Sequence, residues 1–211
     1  MKQVHFKDGK TAPVNNIYCI GRNYAEHISE LGNVPTGEPV VFLKPTTALN
    51  TNDTMRLPDF SDDIHHEVEL VLYIGCDVAD DDMPNLDCIT GFGIGLDLTA
   101  RDIQSQLKAK GLPWTLAKGF PDAAWLSVLQ AGTPPQISQL SLTVNGEQRQ
   151  HDNTGSMLFD IEFLLRFLHS RFRLRQGDLI YTGTPKGVGR LHTGDALIAT
   201  LNNDSYTLQV I

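Results

Sequence analysis

Cysteine is scarce: Cys19, Cys76 and Cys88 are the three in 211 residues, an odd number with no Cys-x-x-Cys spacing. That pattern excludes a disulfide framework and a thiolate zinc site, and it fits a reducing compartment in which each thiol is a small buried apolar group. Positive charge is in deficit as well. Seventeen Lys and Arg stand against 25 Asp and Glu, which leaves a formal net charge of −8 and a pI near 5.2. Chains built to neutralise phosphates show the opposite balance, so neither a nucleic-acid nor an anionic-membrane role is expected. No apolar run approaches the roughly 20 residues that a membrane-crossing helix needs. Met1-Lys2-Gln3-Val4-His5-Phe6 lacks the apolar stretch of a secretory signal. A cytoplasmic location is therefore expected.

Present instead is the ordinary make-up of a globular chain, with 41% apolar and 20% charged residues. The length fits one domain spanning 1–211, with no repeat, low-complexity tract or linker-like shift in composition. Short runs rich in Val, Ile, Leu and aromatics predict strands at Ile17–Ile20, Val40–Leu43, Val68–Ile74, Phe92–Leu98, Leu140–Val144, Leu179–Thr182, Ala196–Leu201 and Tyr206–Ile211. Asn145-Gly146 is a hairpin signal because both turn positions accept positive φ, and Asn202-Asn203-Asp204 predicts the last hairpin. Helices are expected at Asn23–Leu31 with Gly32 as its stop, at Arg101–Lys110 with Thr99 as N-cap, and at Leu158–His169 with Ser156 as N-cap. Strands outnumber helices and do not alternate with them. The expected class is α+β, built on a large mixed sheet or roll, and not a doubly wound fold.

Carboxylates carry the chemistry. In His65-His66-Glu67-Val68-Glu69 the two glutamates share a strand face, about 7 Å apart at Cα, at the start of a run apolar on both sides. Like charges there lose hydration and repel, which is costly unless a cation or basic groups compensate. Asp97 ends a second apolar strand. Glu67, Glu69 and Asp97 together offer an all-oxygen site suited to Mg²⁺ or Mn²⁺, with His65 and His66 expected to pack or hydrogen-bond nearby. A solvated edge strand would carry Glu-x-Glu equally well. His27 and Glu30, three apart, are neighbours on a helix, where the carboxylate would fix the imidazole tautomer and raise its basicity. An exposed ion pair is the plainer account of that spacing.

Six motifs in order remove the ambiguity: Gly21-Arg22-Asn23-Tyr24, Phe42-Leu43-Lys44-Pro45, His65-His66-Glu67-Val68-Glu69, Leu96-Asp97-Leu98-Thr99-Ala100-Arg101-Asp102, Pro113-Trp114-Thr115-Leu116-Ala117-Lys118 and Thr182-Gly183-Thr184-Pro185-Lys186-Gly187-Val188-Gly189. The series closely resembles the fumarylacetoacetate hydrolase family, from about Ile17 to the C-terminus, and within it the short acylpyruvate hydrolases and oxaloacetate decarboxylases or tautomerases. The resemblance implies a mixed β-roll, a homodimer, and a divalent Mg²⁺ or Mn²⁺ held by Glu67, Glu69 and Asp97. It implies that His27 and Glu30 form a dyad on a short helix closing over substrate, and that Lys118 is the active-site lysine. Gln104 and Arg101 would orient water and substrate oxygens, and Thr184 would contact the substrate carboxylate. Gly119-Phe120-Pro121-Asp122-Ala123-Ala124-Trp125 departs from the family's pattern after Lys118.

The expected substrate is a small 2-oxo acid. The first reading is hydrolysis of the C–C bond in an acylpyruvate, with His27 activating water and Lys118 meeting the oxyanion. Oxaloacetate decarboxylation or tautomerisation, isomerisation or decarboxylation of a 2-hydroxy-diene dicarboxylate, and a metal-binding protein without catalysis are the alternatives. A diacid would need a further cation, and Arg22 and Lys44 are available. Gly183–Gly189 lacks the Walker spacing, so its backbone N–H groups are expected to meet a carboxylate rather than a nucleotide. The glycines of Gly91-Phe92-Gly93-Ile94-Gly95 are expected to allow close strand approach. Trp114 and Trp125 are expected in the core or an interface, and Asp80-Asp81-Asp82 as a solvated turn.

Overall fold

Val68–Ile74 is buried at all seven positions, and Ile89–Asp97 at eight of nine. These two strands pair antiparallel over their whole length and form the centre of the molecule. Glycine makes that pairing possible. A Cβ at Gly95 would lie 2.6 Å from Tyr181 Cε1 and from Val71 Cγ2, so only hydrogen fits there. Around this pair the computed structural model, which describes residues 2–30, 32 and 37–211, builds a mixed eight-stranded sheet. Leu179–Tyr181 runs antiparallel to Val68–Ile74 and parallel to Ile17–Gly21, whose outer neighbour is Val40–Lys44. On the other side Ala124–Leu126 pairs antiparallel with Ile89–Asp97 and parallel with Leu49–Asn50.

A five-stranded sheet packs against the first: Glu147–Asn153, Gln139–Val144, Ala196–Leu201, Asp204–Val210 and Thr54–Met55. Alternating burial along Ala196–Leu201 and Gln139–Val144 shows one face on the core and one in solvent. Asn145 and Gly146 (φ 53° and 80°) make the predicted hairpin turn, and Asn202 (φ 54°) makes the last one. A three-stranded ribbon of Thr99–Ala100, Ile64–His66 and Gly189–Arg190 closes the end where the carboxylates lie. The result is the expected α+β roll, with one buried cluster shared by both larger sheets. Among the described residues no helix is long and apolar enough to cross a membrane.

Among the described residues four α-helices interrupt the strands: α1 (Ala25–Glu30), α2 (Arg101–Ala109), α3 (Thr115–Lys118) and α4 (Ile161–Phe172). Their starts correct the sequence reading. Helix α1 begins after Asn23 and Tyr24, because the Asn23 side chain is spent on other backbone; Leu31, its expected end, lies outside the described residues. Thr99 does not cap α2. It belongs to a ribbon strand, and the first helical N–H, that of Arg101, donates to Asp63 O at 2.8 Å. Ser156 does not cap α4 either. It sits in a 3₁₀ turn with its hydroxyl on Asp152, and Asp160 caps the helix by accepting from Phe163 N at 2.8 Å.

The bland expectations divide. Trp125 is buried, whereas Trp114 is half-buried in a cavity wall. Asp80, Asp81 and Asp82 are exposed, and Asp80 pairs with Arg175 at 2.7 Å. The three cysteines are free thiols, Cys19 buried and the other two partly so.

Candidate active site

Glu67 stands at the break between Ile64–His66 and Val68–Ile74, where its carbonyl accepts Asp97 N–H at 2.9 Å. That bond ties the end of one central strand to the beginning of the other. It thereby brings the Glu67, Glu69 and Asp97 carboxylates together: an oxygen of each lies within 4.8 Å of the others, and all three residues are buried. The solvated-edge account of Glu-x-Glu is excluded by that burial.

Basic groups surround the trio. Lys118, from α3, donates to Glu67 Oε2 at 2.8 Å and to Asp97 Oδ2 at 2.7 Å. Arg101, at the first position of α2, pairs with Glu67 Oε1 and donates to Gln104 Oε1 at 2.7 Å. Lys44 Nζ lies 2.7 Å from Asp97 Oδ1 and donates to the carbonyls of Leu98 and Lys118. Its side chain is fully buried behind Asp97, so it holds the site together and is not available to a substrate, contrary to one sequence expectation.

These neighbours split the two glutamates. Burial alone would raise the Glu67 carboxyl, but Lys118 and Arg101 outweigh it and hold the group well below the usual carboxylate range. Glu69 goes the other way. Burial and then the Asp97 and Glu67 charges push it well up, with only partial relief from the Gly183 N–H at 2.7 Å. Lys118 is held above the ordinary lysine value: burial lowers it, and Asp97 and Glu67 more than restore it. A divalent cation fits this set, because three hard oxygens converge without thiolate or imidazole among them, and its charge would relieve the repulsion felt by Glu69.

Helix α1 covers the carboxylates. His27 Nδ1 lies 3.0 Å from Glu30 Oε2, and the other Glu30 oxygen accepts Gly187 N–H at 2.9 Å. Lys186 adds an exposed pair to Glu26 at 2.9 Å. The two side chains are thus hydrogen-bonded to each other, and Glu30 fastens the helix to the Gly183–Gly189 turn. The turn itself differs from expectation: its Gly183 and Gly187 N–H groups meet Glu69 and Glu30, carboxylates of the protein and not of a ligand. Thr184 lines the cavity, yet its hydroxyl donates to Val68 O at 2.9 Å and accepts from Gln150 Nε2 at 2.8 Å.

Two positioning residues escaped the sequence reading. Gln150 is buried with its amide fully used. Its Oε1 accepts from Val68 N and faces His66 Nδ1, and its Nε2 donates to Thr184 Oγ1 and Pro185 O. It clamps the Glu67 break to the Thr184 turn from the second sheet. His66, as expected, is no member of the trio; burial lowers its pKa to about 4, so it is neutral. Asn23 is buried with three bonds, to Phe159 N, Phe159 O and Thr182 O, and fixes the base of α1. Nothing in the sequence marks Gln150, which lies in a polar outer strand. Asn23 is one of the residues in the Gly21–Tyr24 motif.

The resulting cavity, about 40 Å³, is lined by Arg22, His27, Glu67, Glu69, Asp97, Arg101, Gln104, Lys118 and Thr184, so every predicted site residue except Glu30 faces it. Lys108 and Trp114, which were not predicted, complete its wall; residues 119–125, where the sequence departs from the family, do not reach it.

Known proteins resemble this chain over nearly all of its length. The chain is 40% identical to the oxaloacetate tautomerase YcgM of Escherichia coli, over 94% of each chain. It is 42% identical to the mitochondrial oxaloacetate tautomerase FAHD1 of Arabidopsis thaliana, over 94% of this chain and 89% of that one. The crystal structure of fumarylpyruvate hydrolase from Pseudomonas aeruginosa in complex with Mn²⁺ and pyruvate superposes with a TM-score of 0.93 at 31% identity, covering 100% of this chain and 95% of that one. Residues 16–207 match the family described as fumarylacetoacetate (FAA) hydrolase C-terminal, and the chain belongs to that family.

Proposed function

We propose that this protein is a divalent-metal-dependent enzyme that enolises small 2-oxo acids, with keto–enol exchange of oxaloacetate as its reaction. The carrying observation is the convergence of three buried carboxylates in one cavity with His27, where Glu67 and Asp97 are paired with Lys118, Arg101 and Lys44 and Glu69 has no cationic partner of its own among the described residues. In charge terms Glu67, Glu69 and Asp97 are balanced by Lys44, Lys118 and Arg101 before any ion enters. A divalent ion would add positive charge beside the trio, where negative charge grows on a 2-oxo acid as it enolises. Glu67, Glu69 and Asp97 would hold Mg²⁺ or Mn²⁺, which would supply a Lewis acid for a bound 2-oxo acid.

The rest of the chemistry belongs to the side chains. His27 is buried and held through Nδ1 by Glu30, which leaves Nε2 to take a proton from the carbon next to the ketone and to return it to carbon or oxygen. Lys118 and Arg101 steady charge gathering on the substrate oxygens, and Gln104, held by Arg101, orients them. Helix α1 and the Gly187 turn exclude bulk water while the proton is in transit. The small cavity favours a compact acid over a long-chain acylpyruvate.

Hydrolysis of acylpyruvates, the first reading from sequence, is the second reading here. The His27–Glu30 pair favours it, because the same imidazole could draw a proton from water. The relatives named for oxaloacetate tautomerisation, at 40% and 42% identity, weigh toward enolisation. Initial rates with enol-oxaloacetate, acetylpyruvate and a 2-hydroxy-dienoate, each with Mg²⁺ or Mn²⁺, test the proposal. Oxaloacetate is expected to be the best of the three. A dominant rate of C–C cleavage on acetylpyruvate would replace it with hydrolysis, and no metal-dependent acceleration of any substrate would overturn both.

A further inference from the structure

We propose that Lys108 and Arg22 form a second anion subsite, which takes the distal carboxylate of a dicarboxylic 2-oxo acid and makes the enzyme selective for diacids. The inference rests on the proposed 2-oxo acid chemistry and names which members of that class are preferred.

Helix α2 presents Arg101, Gln104 and Lys108 at spacings of three and four residues, one face of the helix, and all three line the cavity. Arg101 sits at the carboxylate trio through Glu67. Lys108 stands two turns further on, about 10 Å along the helix axis at 1.5 Å per residue. The face therefore carries a cation at each end with an amide between them.

Aromatic rings neighbour that ammonium. Lys108 Nζ lies over the Trp114 ring, 5.9 Å from its centroid, and Trp114 in turn packs edge-on against Phe42 at 5.7 Å. Arg22 also lines the cavity, at the position between the Ile17–Gly21 strand and the pinned Asn23. It holds a left-handed backbone (φ 62°) that a non-glycine residue adopts at a cost, and strain of this kind gathers at functional positions. Arg22 and Lys108 line the cavity together with Arg101 and Lys118, and only the latter two are paired with the carboxylate trio. The Lys108 ammonium is itself held below the ordinary lysine value by burial and then by Arg22 and Arg101, so a carboxylate beside it would relieve a real electrostatic load.

The test compares substrates that share the proximal group and differ at the distal end, using the full chain with Mg²⁺. Oxalate is the probe for the proximal site, because it has no distal arm. Oxaloacetate and acetylpyruvate are the diacid and monoacid pair. In Lys108→Met the ratio of kcat/KM for oxaloacetate over acetylpyruvate is expected to fall roughly 10- to 100-fold, the scale of one hydrogen bond to a charged group. The loss should lie in KM, oxalate inhibition should shift less than 3-fold, and Lys108→Arg should recover most of the ratio. Arg22→Asn, which tolerates the left-handed backbone, should lower the same ratio. An unchanged ratio in both variants, with oxalate still inhibiting, would overturn the distal subsite alone. An equal loss for oxalate and both substrates would overturn it too, since that is the mark of a general collapse. Failure of oxalate to inhibit the parent enzyme would overturn the underlying 2-oxo acid reading and this inference with it.

Discussion

Glu69 shows how one residue answers to its surroundings. Its side chain sits inside an otherwise apolar strand, faces two other carboxylates, and has one backbone N–H in compensation. Glu69→Ala should abolish metal-dependent turnover and Mn²⁺ binding, both read by calorimetry and an activity assay on the same preparation. Because its carboxyl is pushed upward without an ion, adding Mn²⁺ to weakly buffered protein should release protons, and the Glu69→Ala variant should release fewer. His27→Ala should lower turnover by roughly 10²-fold, the ordinary scale for proton transfer by a positioned side chain, with the calorimetric Mn²⁺ affinity retained. His66 gives a pH signature unrelated to turnover. Its folded pKa of about 4 lies below the unfolded value of about 6.5. The unfolded chain therefore binds the proton first, and the stability that depends on neutral His66 is complete above pH ~6.5 and lost as pH falls toward 4. The loss approaches about 3 kcal/mol, and the urea midpoint of the metal-free protein measured across that range should show a slope that His66→Gln flattens.

Among the elements, α1 is the piece whose docking is most exposed to change. It is six residues long, too short to be stable alone, and depends on Asn23 beneath it and Glu30 at its end. The Glu30 partner, Gly187, has φ +96°, and a Cβ there would lie 2.0 Å from Arg149 O. Gly187→Ala should displace the turn, release the Glu30 bond and raise amide exchange across 25–30 well before global unfolding. Unchanged exchange in that segment would show that the Glu30 bond does not hold the helix. The same contrast explains the corrected helix starts. Periodicity located α4 because its buried face repeats, and the breakers Gly111 and Pro113 bounded α2, whereas the caps of both were misplaced. Asp63 O, 38 positions earlier, receives the first N–H of α2, and Asp160 outcompetes Ser156 by being the residue directly before the helix.

For the whole molecule, the two central strands converge on the trio, so ion binding is coupled to the core and not to a surface loop. Mg²⁺ or Mn²⁺ at 100 times its dissociation constant should stabilise the fold by about 2.7 kcal/mol, seen as a higher Tm that EDTA reverses and that Glu69→Ala does not show. The central strands, the α+β class and the identities of the carboxylate trio were legible in the sequence. Strand burial, turn chemistry and the helical spacing of His27 and Glu30 are local properties, and six ordered motifs fixed their company. What the tertiary structure alone decided was who meets whom across the chain. Lys44 and Lys118 are both lysines after apolar runs, yet one is sealed behind Asp97 and the other opens to the cavity. The backbone N–H groups of the Gly183–Gly189 turn go to Glu69 and Glu30 because the fold lays that turn against them, 114 and 157 positions away. Gln150 and Lys108 carry no local signal either, for a side chain's partner in a mixed sheet is set by strand order, which composition and spacing along one segment do not encode.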